Sequence, residues 1–279
     1  MRMPTLTKTL FSTALAATLS LGMVAQASAT PGVYQVSPDG LPGITGYTPF
    51  NADHVSGTSS VLLTATSATT ASGEGWLDFT AFSLNGSAYL AGDTGLSLGG
   101  ANSYQIYLKF NETSSFAAGQ FGATGTTSIL NTLNFTIYAN PNLTAGSKTT
   151  FTQANANTAT AATVNDIGTP DIVLGTGHLI TGTVGFDSLG GAFLNAVNTL
   201  SLTAAGSSFF TDPVPFFDLA FSEFNNTSQG VIVNAGAGLI SIGQETGSAD
   251  FNKIPEPASL ALVGLGLLGL GASRRRKAA

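Results

Sequence analysis

The sequence has no cysteine, only two histidines and one tryptophan, and 9% charged residues, where an average soluble protein carries roughly 25%. Without cysteine there is no disulfide framework, no zinc–thiolate site and no cysteine nucleophile. Arginine is the most telling gap. None occurs between Thr30 and Lys253, where the only cations are Lys109, Lys148 and Lys253. Such a surface lacks the guanidinium forks that grip phosphate or carboxylate at two points. With a net charge of −6 over the whole chain, direct electrostatic binding to nucleic acid or anionic lipid is excluded. Contact with an acidic polysaccharide has to run through hydrogen bonds or bridging cations. What the chain does have is 34 glycines, 18 phenylalanines and 43% hydrophobic residues, a composition at odds with intrinsic disorder.

Six of the nine cations lie at the two ends. Arg2 and Lys8 precede an apolar run from Leu10 to Ala25, followed by Ala27-Ser28-Ala29. A cationic start, a short apolar core and a small-x-small site, Ala27 and Ala29, are the marks of a secretory signal peptide over residues 1–29. At the other end, Ile254-Pro255-Glu256-Pro257 leads into an apolar, Gly/Leu-rich stretch over residues 258–272, then Ser273 and Arg274-Arg275-Arg276-Lys277. As a helix the stretch would reach roughly 23 Å, short for a ~30 Å hydrocarbon core but able to span with local thinning. The four cations would stay in the cytoplasm and act as a stop-transfer tail. Gly264-Leu-Gly266-Leu-Leu-Gly269 also matches a dinucleotide-binding fingerprint. It has neither the preceding strand nor the acidic residue about 20 positions later that such a site needs.

The tail resembles the PEP-CTERM sorting signal of exopolysaccharide-producing Gram-negative bacteria, a segment also called the ice-binding protein C-terminal domain. Pro255-Glu256-Pro257, the apolar stretch and the basic cluster carry the likeness, in that order. The resemblance implies transient insertion in the inner membrane, processing by an exosortase near the motif, and delivery to the cell surface or extracellular matrix. The catalytic residues of that processing would belong to the exosortase.

Between the two signals, residues 30–253 form one expected extracellular domain with 14 acidic residues and three lysines, a net charge of −11. Its pattern is mainly β. Tyr104, Ile106, Leu108 and Phe110 alternate along one strand, and Leu133, Phe135 and Ile137 along another. Segments 61–66, 76–84, 180–184, 200–203 and 238–242 share the β-branched and aromatic character, and Asn85-Gly86 reads as a hairpin turn. Ala192–Asn198 is the best short helical candidate, and the polar stretch 149–164 reads as a loop. The expected architecture is a single antiparallel β-sandwich, jelly-roll-like, whose edge strands have few lysines to protect them.

Few residues suggest chemistry. Gly95-Leu-Ser97-Leu-Gly99 has the spacing of a serine nucleophile elbow, with Asp171 and His178 following in hydrolase order, but no helix pattern follows Ser97. A secreted hydrolase is therefore the weakest of the readings. His54 and His178 are isolated, and the carboxylates Asp166, Asp171, Asp212, Asp218 and Asp250 form no D-x-D-x-D-G loop, so no metal site or cofactor is expected, the alternative being calcium held by loops from separate strands. Asn-x-Ser/Thr triplets at Asn85, Asn111, Asn134, Asn142 and Asn225 supply amide and hydroxyl groups suited to sugars. The aromatic stretch 208–221, with Pro213 and Pro215 between two Phe pairs, reads as a segment that plugs one end of the core.

That stretch, with 50–61, Gly75-Trp76-Leu77-Asp78-Phe79 and Tyr104-Gln-Ile-Tyr107, is similar to the flocculation-associated PEP-CTERM subfamily. The likeness implies a non-enzymatic protein that promotes floc or biofilm formation with exopolysaccharide, and brings no catalytic residue. The alternative is a discrete glycan- or ice-binding module, marked by a flat, regular Thr or aromatic array.

Overall fold

The computed structural model describes residues 31–144, 148–165, 171–225 and 230–252. The expected signal peptide with Ala27 and Ala29 lies outside the described residues, as do the sorting tail with Pro255, Glu256 and Pro257 and the cations at 274–277. Among the described residues no helix is long and apolar enough to cross a membrane.

Among the described residues sixteen strands run in chain order. The first six are β1 (Tyr34–Val36), β2 (Phe50–Ala52), β3 (His54–Ala65), β4 (Thr70–Leu84), β5 (Ser87–Ala88) and β6 (Gly100–Ser115). Next come β7 (Thr126–Leu143), β8 (Thr150–Thr152), β9 (Thr163–Asn165), β10 (Ile172–Phe186) and β11 (Ala192–Thr199). The last are β12 (Ser201–Leu202), β13 (Phe210–Asp212), β14 (Leu219–Asn225), β15 (Val231–Asn234) and β16 (Leu239–Asn252). Two short α-helices among the described residues, α1 (Ala91–Thr94) and α2 (Ala204–Phe209), and a 3-10 turn at Pro38–Gly40 lie between strands. Period-two patterning builds the long strands: in β6, Tyr104, Ile106, Leu108, Phe110 and Glu112 are buried, while Lys109 and Asn111 are exposed. Asn85 and Gly86 carry φ of 52° and 77° and turn β4 back onto β5, the hairpin their identity predicts.

The chain is mainly β and antiparallel, as expected, but its sheet is neither an open sandwich nor a jelly roll. Each of β3, β4, β6, β7, β10, β11, β14 and β16 pairs with the next in that series, and β16 returns to β3. The result is a closed eight-stranded meander with no Greek-key crossing. Alternation in a sequence reports only that one face of a strand is buried, which a sandwich and a barrel satisfy equally. Closure also removes the edges of these eight strands, so the expected vulnerable edges do not exist on them.

Two local expectations change for related reasons. Ala192–Asn198 is not helical but is part of β11, where Ala192, Leu194, Ala196 and Asn198 are buried along one face. Its flanking strands supply a complete ladder on both sides, which outweighs alanine's helix preference. The 149–164 stretch is no free loop: β8 and β9 pair as a hairpin against the outside of the barrel. The Ala154 and Ala156 backbone N–H groups donate to Ser60 Oγ and Ser241 Oγ at 2.9 and 3.0 Å. Trp76 Nε1 donates to the Thr152 carbonyl at 2.9 Å, and the indole lies 4.8 Å from the Phe151 ring.

Trp76→Phe should therefore loosen the hairpin more than the barrel. The lost hydrogen bond corresponds to about 1 kcal/mol. Hydrogen exchange should rise at Thr150–Thr152 and stay unchanged in β10 and β11; uniform exchange across all strands would show that the indole supports the barrel instead.

The aromatic plug is where the sequence placed it. Phe209 and Phe210 are buried, and Phe210, Phe216 and Phe251 surround Tyr34 with ring centroids 5.1–6.0 Å away. The Asp212–Pro213 and Val214–Pro215 peptides are both cis. With β1, β2 and β13 this cluster closes one end of the barrel.

Candidate functional site

The hairpin turns part of the outer barrel surface into a groove. Its floor is the outward face of β4, β6 and β7, its wall is Ala162–Val164, and its volume is about 440 Å³. Register sets the floor: Glu74 lies opposite Asn111, which lies opposite Asn134, and in the neighbouring row Lys109 lies opposite Thr136. These are the outward members of strands whose alternate residues fill the barrel.

The chemistry is polar with one aromatic surface. Asn134 Nδ2 donates to Asn111 Oδ1 at 3.1 Å, so the pair spends one donor and one acceptor on itself and keeps the rest of both amides for a ligand. Tyr138 stacks on Tyr107 at 5.2 Å with the rings 15° apart, and Lys109 Nζ lies 5.3 Å from the Tyr138 ring centroid. Lys109 is thus one of only three cations in residues 30–253, and among the described residues the one that lines this groove. The single tryptophan is unavailable to a ligand, being 3% exposed beneath the hairpin.

Buried polar groups fix the hairpin's base. The Tyr107 hydroxyl and Thr149 Oγ1 both donate to Asp171 Oδ2, and Asn140 Nδ2 donates to Thr149 Oγ1 at 2.8 Å. Gln105 Nε2 donates to Asp78 at 3.2 Å. Burial raises the Asp78 carboxyl to about 6, against the lowering effects of that hydrogen bond and of Lys148.

The hydrolase candidates are not brought together. Ser97 Oγ is buried without a hydrogen-bond partner, and Ser97 has a φ of 55° in a turn after α1, not at a strand-to-helix elbow. His178 Nδ1 pairs with Thr199 Oγ1 on the barrel exterior at 2.9 Å, and Asp171 is engaged by Tyr107. His178 shares a row with Asn134 and Asn111, seven residues along β6 from Tyr104, whose carbonyl accepts from Ser97 N–H. That is roughly 20 Å along the strand. His54 Nδ1 lies 2.6 Å from Asp250 Oδ1 on the outer face. Among the described residues no three His, Cys, Asp or Glu side chains group so as to hold a metal ion. Asp166 lies outside the described residues.

Asn111, Asn134 and Thr136 belong to Asn-x-Thr triplets visible in the sequence, whereas Glu74, Lys109 and Tyr138 carry no such mark. The available signal was the outward half of each alternation, since residues between inward-facing positions share the other face. Which outward faces adjoin, and what walls them, depends on strand pairing.

A PEP-CTERM protein-sorting motif is matched at residues 253–277. It contains the Pro-Glu-Pro triplet, the apolar stretch and the basic cluster. The motif marks an exported protein that is transiently anchored at the membrane and processed by an exosortase. No curated protein and no solved structure matches the chain.

Proposed function

We propose that the protein works outside a Gram-negative cell as a non-enzymatic binder of extracellular polysaccharide, holding cells together in flocs or biofilm. The observation that carries this reading is the outer groove, with amides, two threonine hydroxyls, one carboxylate and one ammonium around a tyrosine. Sugars present hydroxyl groups that match Asn111, Asn134, Thr136 and Glu74, and an apolar C–H face that can lie on Tyr138. Lys109 and Glu74 offset each other in charge there, so a sugar chain is held through hydrogen bonds and the tyrosine face and not through net charge. Export by the sorting motif would bring the groove to the polymer, and no cofactor is needed for this role. A regular threonine array, as an ice-binding face would present, is not what lies on β7: Thr132 and Thr136 are interleaved with Asn134 and Tyr138.

Binding to polysaccharide isolated from the producing cells tests the reading. Tyr138→Ala should weaken binding about tenfold, the equivalent of a lost aromatic contact of about 1.4 kcal/mol. Leu189→Ala, at a residue 84% exposed and outside the groove, should leave binding unchanged. Equal binding by wild type and Tyr138→Ala would remove the groove from the function. Cells lacking the gene should disperse while still secreting polymer; undiminished aggregation would remove the floc role.

A further inference from the structure

The barrel end opposite the aromatic plug is not filled. A cavity there gives the centres of water-sized molecules about 50 Å³ to occupy, and about 630 Å³ is empty when its open mouth is included. One water needs roughly 10–15 Å³ on the first measure, so the inner space exceeds a single solvent site. The walls are mostly apolar, with Val61 and Leu63 from β3, Phe186 from the end of β10 and Ile240 from β16. The β6–β7 connection forms the mouth, where the Phe116 and Phe121 rings lie 5.3 Å apart, tilted by 32°, and the exposed Gln120 meets solvent.

Into this apolar space projects a carboxyl group. Glu112 is 6% exposed, and its Oε2 has no hydrogen-bond partner. Opposite it in register sits Gly73, where an added Cβ would lie 3.0 Å from Glu112 Cγ, so the glycine makes room for the acid. Among the described residues no other titratable side chain lines the cavity, although Ser114, Thr126 and Ser128 add hydroxyl groups. A buried polar atom with no partner is unfavourable by about 1–3 kcal/mol unless something supplies the missing bond. Eight-stranded barrels have an interior that is either filled by side chains or able to hold one small ligand.

The geometry points to a ligand site at this end of the barrel, one that takes a small uncharged molecule with an apolar body and a single hydroxyl group. The hydroxyl would bond Glu112 in the inner space, and the apolar body would lie among Leu63, Phe116, Phe121 and Phe186 towards the mouth. A cationic head group fits less well, because it would have to leave water for a cavity with one carboxyl and few other acceptors. This site lies inside the barrel and is independent of the outer groove.

Calorimetric titration of the protein recovered from its producing cells, with phenol and benzene as probes, tests the assignment. Phenol should bind at least tenfold more tightly than benzene. Glu112→Leu should abolish that preference and leave benzene binding in place, and Glu112→Gln, which keeps a donor and an acceptor, should retain most of it. Ser128→Phe, directed into the cavity, should exclude both probes and gives a second measure if Glu112→Leu does not fold. Equal affinity for both probes in wild type, no binding of either, or undiminished binding in Ser128→Phe would overturn the proposal. A crystal structure from a phenol soak showing only water beside Glu112 would do the same.

Discussion

Glu112→Gln is expected to stabilise the folded protein by about 3 kcal/mol at pH 8 and to change it little at pH 4. Burial alone raises the Glu112 carboxyl from an ordinary 4.5 to about 7. Between those values the folded protein holds a proton that the unfolded chain releases. Stability must therefore fall as pH rises from about 4.5 through 7, and the penalty is complete above that, at 1.36 kcal/mol per pH unit. Glutamine has nearly the same shape and no charge to bury, so it escapes the penalty. Urea denaturation of both proteins at pH 4, 6 and 8 gives the comparison. Asp78, raised to about 6, acts in the same direction at lower pH, so the variant should keep a shallower slope, not a flat line. Parallel pH profiles for the two proteins would show that Glu112 is hydrated or paired in solution. The same substitution keeps the hydrogen-bonding groups invoked for the ligand cavity, so the stability result and the ligand result are separate observations.

Phe209→Ala should destabilise the protein by about 3–5 kcal/mol, the range for truncating a large aromatic side chain in a packed core. Phe209 is fully buried, with ring contacts to Tyr104 at 5.5 Å and Phe210 at 4.9 Å. It ends α2, whose start is capped by Thr203 Oγ1 accepting from the Gly206 N–H at 3.0 Å. Gly206 in turn allows close approach to β10, since a Cβ there would come within 1.9 Å of the Leu174 carbonyl oxygen. Collapse around the missing ring is therefore restrained on several sides, which places the loss high in the range. For a domain of this size the melting temperature should drop by about 10 °C. Val214→Ala, in the same segment but 85% exposed, should stay within about 0.5 kcal/mol. If the two substitutions had similar effects, the aromatic segment would be lying on the barrel without closing it.

The readable parts of the fold were those set by neighbouring residues. Ile106, Leu108 and Phe110 share an inward face because strands repeat every two residues, and Asn85-Gly86 turns because both residues accept positive φ. Strand ends were harder to place. The pattern around Val61–Thr66 revealed only part of β3, which begins at His54, because Ser56, Gly57, Thr58, Ser59 and Ser60 carry little hydrophobic signal. Ser59 and Ser60 are nevertheless fully buried. Ser60 earns its place through distant partners, donating to the Ile242 carbonyl at 3.1 Å and accepting from Ala154. Ala192–Asn198 misleads for the same reason, since its strand identity comes from β10 and β14 on either side.

The sequence alone determines the protein's route and surface character. The sorting motif is a linear signal, and the absence of arginine between Thr30 and Lys253 limits partners however the chain folds. The tertiary structure decides the rest: closure of the sheet, burial of Glu112, and the meeting of Glu74, Lys109, Asn134 and Tyr138 in one groove. Processing signals and side-chain alternation are local in the chain, whereas barrel closure joins β3 to β16, as in the Val61–Ile242 pair. Pairing over such separations follows from the free energy of the whole packed chain, and no short stretch of residues encodes it.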